Sequence, residues 1–205
     1  MSYDYLFKII LIGEQGAGKT SVVKRLIDDR YTDFRETTIG LDFSSHKFDY
    51  NGKRYKYHFW DTAGQECFSP IIKAYYKNIA CCFVVISTDD KEWEENAVKW
   101  LERYNMNKDD DVRAKPILLV NKIDILEKEF SMEESKRFAE DNGCLYYEVS
   151  AKTGANMRHL LKFLTENIVE NMDEDELGPG ITRGVVNLDM FDKANTRNCL
   201  YFSCF

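Results

Sequence analysis

Eight residues, Gly13-Glu14-Gln15-Gly16-Ala17-Gly18-Lys19-Thr20, constrain this chain more than any other stretch. They fit the spacing Gly-x-x-x-x-Gly-Lys-Ser/Thr and lie between an apolar run, Leu6 to Ile12, that reads as a strand and a helix-period segment, Lys19 to Asp29. Glycines at these positions let backbone N–H groups curl around a phosphate, and the helix amino terminus adds its dipole. In such a cradle Gln15, Ala17 and Ser21 would line the phosphates, Lys19 would neutralise the terminal ones, and the Thr20 hydroxyl would ligate magnesium. The competing reading, a glycine turn beside a surface lysine, is weak, because residue frequencies produce this pattern by chance in roughly one chain of this length in a hundred. By itself the loop specifies a nucleoside triphosphate and no particular base.

Beyond the loop, apolar runs alternate with helix-period segments. Phe43 to Tyr50 and Tyr55 to Trp60 read as a hairpin turned at Asn51-Gly52, and Cys81 to Ile86, Ile117 to Asn121 and Leu145 to Val149 as further strands. Helices are expected near Lys91 to Tyr104, Met132 to Asp141 and Ala155 to Asn171. Strands joined by helical crossovers make an α/β doubly wound fold with a six-stranded mixed sheet, five strands parallel and one antiparallel. Ligands of such sheets sit at the carboxyl ends of the strands. Residues 1–171 are expected to form one domain; from 172 the composition turns acidic, then Gly178-Pro179-Gly180, then aperiodic, the pattern of a flexible tail running to 205.

Two motifs fall at strand ends. Asn121-Lys122-Ile123-Asp124 follows the run Ile117 to Val120, and Ser150-Ala151-Lys152 follows Leu145 to Val149. A carboxylate at Asp124 can accept from the N1–H and exocyclic amine of guanine together, whereas adenine offers a lone pair at N1 and no amine beside it. Sites built on such bonds reject the mismatched ligand by up to roughly 10⁴-fold. Alone, Asn-Lys-x-Asp is equally a polar loop with Asp124 as a helix cap; beside the phosphate loop it is not.

Together, Gly13 to Thr20, Thr38, Asp61-Thr62-Ala63-Gly64-Gln65, Asn121 to Asp124 and Ser150 to Lys152 resemble the five guanine-nucleotide motifs of the Ras superfamily, in order and at its spacing over residues 6 to about 171. The resemblance implies a P-loop G domain that binds GTP or GDP with Mg2+ and hydrolyses GTP slowly without an activating protein. In that scheme Thr20, Thr38 and Asp61 hold the metal, Gly64 touches the γ-phosphate, Gln65 positions the attacking water, Tyr31 covers the base, Lys122 stacks on its other face, and the Ala151 amide meets guanine O6. Thr38-Ile39-Gly40-Leu41-Asp42-Phe43, Trp60 to Glu66 and Tyr75-Tyr76-Lys77-Asn78 are similar to segments that mark Rab proteins, regulators of vesicle traffic. Effectors would then read Phe43, Trp60 and Tyr75, and an exchange factor and a GTPase-activating protein are implied. Equally, the three aromatics could simply pack the hairpin.

Several positions depart from that pattern. Cys67 stands for an arginine, Pro70 interrupts the segment after it, Ile86-Ser87-Thr88 replaces Tyr-Asp-Ile, and Val120 replaces a glycine. Arg35, three residues before Thr38, matches the spacing of the catalytic arginine in heterotrimeric G-protein α subunits, so it reads either as a built-in arginine finger or as a solvated charge beside Glu36.

The net charge of -7 argues against binding a nucleic-acid backbone. Without a basic amino terminus, a glycine at the second position or a long apolar run, a cytoplasmic monomer is expected. Cys199 and Cys204 lie in an apolar ending that fits no standard prenylation signal but could carry lipid and bring the chain to the cytosolic face of an intracellular membrane.

Overall fold

A computed structural model of the chain describes residues 3–33, 41–62 and 75–172. The run Tyr-Leu-Phe-Lys-Ile-Ile-Leu-Ile forms β1 (Tyr5–Ile12), buried along its whole length. Strands covered on both faces read as near-continuous apolar runs rather than alternating ones, and β4 (Cys81–Ser87) and β5 (Ile117–Asn121) share that pattern. With β2 (Leu41–Tyr50), β3 (Lys53–Thr62) and β6 (Leu145–Glu148) they make a six-stranded sheet of order β2-β3-β1-β4-β5-β6. Among the described residues only the β2–β3 pairing is antiparallel. The mixed α/β sheet expected from the sequence is the observed one.

Among the described residues four helices cover it: α1 (Lys19–Asp28), α2 (Trp93–Asn107), α3 (Met132–Asp141) and α4 (Met157–Glu170). Val22 and Val23 of α1 and Leu160, Leu161 and Leu164 of α4 enter the core on one face with Phe7, Tyr57 and Phe83. Trp93, Trp100 and Tyr104 of α2 and Phe138 of α3 enter that on the other, with Ile10, Val84 and Leu118.

Element ends differ from the sequence reading for local reasons. At Asn51-Gly52 both residues have positive φ (50° and 74°), the requirement of a two-residue hairpin turn, and pairing runs up to it as Tyr50 faces Lys53. The charged Lys53 and Arg54, invisible as strand formers, therefore belong to β3, with Arg54 Nε bonding the Asp49 carboxylate across the pair at 3.0 Å. Helix α2 starts at Trp93, not Lys91, because Asp90 takes the Glu92 N–H and the Asn96 side-chain amide (both 3.0 Å) into a turn ahead of it. It also runs on to Asn107, past Tyr104. Helix α4 starts at Met157, not Ala155, since Asn156 is left-handed (φ 61°). Helix α3 opens with a reciprocal cap between Ser131 and Glu134. No described helix is long and apolar enough to cross a membrane.

Candidate functional site

At the carboxyl ends of β1, β4, β5 and β6 a cleft of about 750 Å³ opens, lined among others by Gln15, Gly16, Gly18, Lys19, Thr20, Ser21, Tyr31, Asn121, Lys122, Asp124, Ala151 and Lys152. Gly13 and Gly18 make its floor possible. Gly13 (φ 142°) crosses β4 so closely that a Cβ there would strike the Val85 carbonyl; one on Gly18 (φ 92°) would strike the Asn121 side-chain amide. Ala17 is buried beside them. Across the loop, Lys19, only 5% exposed, donates from Nζ to the carbonyls of Gly13 (2.8 Å) and Glu14 (3.0 Å). Glu14 is itself held by the Trp100 indole N–H, which donates to its carboxylate at 3.0 Å.

Asn121, the last residue of β5, is buried and bridges the two halves of the cleft. Its Nδ2 donates to the Ala17 carbonyl (2.9 Å), and its Oδ1 accepts from the Ala151 N–H (3.1 Å). The amide that the family resemblance assigns to guanine O6 thus has an acceptor inside the protein. Beside it Ser150 Oγ donates to the Asp124 carboxylate at 2.5 Å and accepts from the Thr153 N–H at 3.0 Å, leaving the second Asp124 oxygen for a ligand. Lys122 (φ 64°) reaches across the cleft mouth, its Nζ 2.9 Å from both oxygens of Asp89. Burial acts most strongly, raising the Asp89 carboxyl, but the bonds and charge of Lys122 together with the Ser87 hydroxyl and a backbone N–H hold it below the ordinary range. Tyr31 lies at the rim and packs against the core on the α1 side.

Where the phosphate loop meets β3, the Thr20 hydroxyl donates to Asp61 Oδ2 at 2.5 Å. The other oxygen, Asp61 Oδ1, is buried without a hydrogen-bond partner among the described residues. Burial raises this carboxyl to about 6, against the pull of Thr20 and Lys19. A hydroxyl beside an orphaned buried carboxylate oxygen, next to a phosphate cradle, is the oxygen-only chemistry that suits hydrated magnesium. These residues fit that ion.

Three aromatics gather next to this end of β3. Phe43, 38% exposed, meets the Trp60 ring edge-on at 5.8 Å, and Trp60, 3% exposed, lies 6.2 Å from Tyr75. Trp60 is core packing and Phe43 is surface, so the two readings of this trio describe different members of it. Arg35, Thr38, Gly64, Gln65, Cys67, Pro70, Cys199 and Cys204 lie outside the described residues.

Sequence reasoning does not reveal Asp89, Arg25 or the Trp100 bond. Asp89 follows the departure Ile86-Ser87-Thr88, where Thr88 Oγ1 donates to the Lys122 carbonyl at 2.7 Å, so that departure is the signal that points to it. Arg25 gives no signal: its Nε and one terminal nitrogen donate to the carbonyls of Ala151 and Lys152, each at 2.8 Å, far away in sequence.

The family model described as "Ras family" matches residues 8–170. The chain is similar to the Dictyostelium discoideum Ras-related protein Rab-2B, 34% identical over 181 residues, covering 88% of this chain and 87% of that protein. It is also similar to the Rattus norvegicus Ras-related protein Rab-13 (32% over 199 residues, 97% of each) and to the Zea mays GTP-binding protein YPTM2 (36% over 171 residues, 83% of each).

Proposed function

The chain belongs to the Ras family and is a Rab-like GTPase, and from that membership we propose how its own residues bind guanine nucleotide and act as a switch in membrane traffic. The observation that carries the proposal is the Asn121 bridge, which ties the phosphate loop at Ala17 to the loop at Ala151 so that both face one cleft. Phosphates lie against the N–H groups of Gly13 to Thr20, with Lys19 leaving the Gly13 and Glu14 carbonyls to meet them. Asp124, oriented by Ser150, accepts from the guanine N1–H and exocyclic amine. Lys122, fixed by Asp89, lays its stem on one face of the base and Tyr31 covers the other.

Thr20, Thr38 and Asp61 would hold a magnesium ion, Asp61 from beside the Thr20 hydroxyl that it already binds. When bound, the ion would supply positive charge that offsets the negative charge of the phosphates. Gln65 aligns the attacking water, and Thr38 and Gly64, held by the γ-phosphate, present an ordered surface that hydrolysis releases. Catalysis by positioning and charge alone is slow, on the order of 10⁻⁴ s⁻¹, as in Ras without its activator. An exchange factor and an activating protein follow from the family, and effectors would meet the exposed Phe43 beside Trp60 and Tyr75.

Single-turnover hydrolysis of bound GTP, compared with Gln65→Leu, tests the reading. A loss of about tenfold or more is expected; equal rates would remove Gln65 from the chemistry.

A further inference from the structure

Two side chains set the loop Ser150 to Lys152. Asn121 Oδ1 takes the Ala151 N–H, as described. The second is Arg25, in the last turn of α1. Its side chain is 15% exposed, and its planar fork donates to two successive carbonyls, Nε to Ala151 (2.8 Å) and a terminal nitrogen to Lys152 (2.8 Å). The other terminal nitrogen closes back on the Asp29 carbonyl (2.9 Å) and carboxylate (3.1 Å), so the guanidinium cannot swing away cheaply. Asp29 itself is 91% exposed, and its ion pair with Arg25 adds little; the fork on the carbonyls is the stronger element, with charge assistance and fixed geometry.

That fork has a directional consequence. No described peptide is cis, so the Ala151 carbonyl, turned to Arg25, puts the Lys152 N–H on the side away from it. Ala151 and Lys152 line the cleft, whereas Arg25 does not. Arg25 thus stands outside the cleft and acts on the orientation of one backbone donor, the Lys152 N–H, in a residue that lines it, and it does so from the helix that begins at the phosphate loop.

We propose that Arg25 is a positioning residue for guanine: its fork on the Ala151 and Lys152 carbonyls aims the Lys152 backbone N–H at the O6 carbonyl of the base and thereby slows nucleotide release. A lysine could supply the charge but could not span two carbonyls with a rigid fork. The proposal rests on the reading of the cleft as a guanine-nucleotide site.

The test is the release rate of GDP carrying a fluorophore on its ribose, set beside that of the corresponding 2-aminopurine nucleotide, which keeps the amine and lacks O6 together with the N1–H that Asp124 reads, a contact Arg25 does not touch. Wild type should release the O6-lacking analogue faster. In Arg25→Gln, GDP release should quicken about tenfold, and the ratio between the two nucleotides should shrink severalfold, because the lost contact is the one to O6. Arg25→Lys should move both readouts in the same direction by less, and it decides the question if the glutamine variant fails to fold by circular dichroism. Unchanged GDP release overturns the proposal. So does faster release with an unchanged ratio, the outcome of a merely structural arginine. A wild type that cannot tell the two nucleotides apart would remove the guanine reading itself, and the proposal with it.

Discussion

The Thr20 hydroxyl donates to one oxygen of Asp61 at 2.5 Å while the other oxygen of that carboxylate lies buried without a partner among the described residues. Leaving a buried acceptor unsatisfied costs about 1–3 kcal/mol, so the arrangement makes sense only if a further ligand completes it. The proposed ligand is a water on magnesium. Asp61→Ala should therefore weaken the magnesium affinity of the GDP complex by about 10- to 100-fold, the usual loss for a residue holding a metal from its outer shell. Titration of magnesium against nucleotide release measures it. An unchanged midpoint would mean that the pair is only a structural hydrogen bond.

Arg35→Ala separates the two readings of the loop before Thr38. A built-in finger stabilises charge as the γ-phosphoryl bond breaks, so its removal should slow single-turnover hydrolysis without activating protein by at least about tenfold, some 1.4 kcal/mol in the barrier, with GTP affinity nearly unchanged. Equal rates would make Arg35 a surface charge and leave the arginine to an activating partner.

His58 carries a pH dependence whose sign follows from its burial. Desolvation first, and the Lys56 charge second, lower its pKa from 6.5 to about 4, and its Nε2 is buried without a partner among the described residues. Between those values the unfolded chain binds a proton at this position that the folded one refuses, so the folded state loses stability as pH falls from 6.5 to 4. Against His58→Gln, which cannot titrate, wild type should lose roughly 2–3 kcal/mol more across that window. Urea unfolding at several pH values reads the difference, and parallel curves would show that His58 is protonated in the fold.

Cys199 and Cys204, which lie outside the described residues, are the thiols proposed to carry lipid, beside the apolar Leu200-Tyr201-Phe202. Intact mass of the chain from its native cells should exceed the sequence mass by a lipid on one of these thiols. Two unmodified thiols would contradict membrane association by this route.

Much of the site is legible in the sequence because its pieces are local. Strand, glycine loop and helix are consecutive, and Asn121 to Asp124 and Ser150 to Lys152 each follow directly on a strand, so the rule that ligands sit at carboxyl ends of strands brings them to one side. What spacing does not show is how the pieces are fastened. Asn121 reaches Ala17, Arg25 reaches Ala151, and Trp100 reaches Glu14 across roughly 90 to 130 residues of chain, and such contacts exist only once the sheet order is set. The helix starts differ from expectation for a smaller reason. Asp90 uses its side chain as a turn partner ahead of α2, and Asn156 takes a left-handed backbone before α4; neither residue breaks the apolar period.

Base choice depends above all on Asp124, which lines the cleft and is held by Ser150 through one oxygen. The most direct measurement is competition binding of GTP, ATP and xanthosine triphosphate to wild type and Asp124→Asn. Wild type should prefer GTP strongly over both. The asparagine variant should lose that preference and favour the xanthine nucleotide, because a side-chain amide can donate to the carbonyl that xanthine carries in place of the guanine amine. An Asp124→Asn protein that still prefers GTP as strongly as wild type would contradict the account.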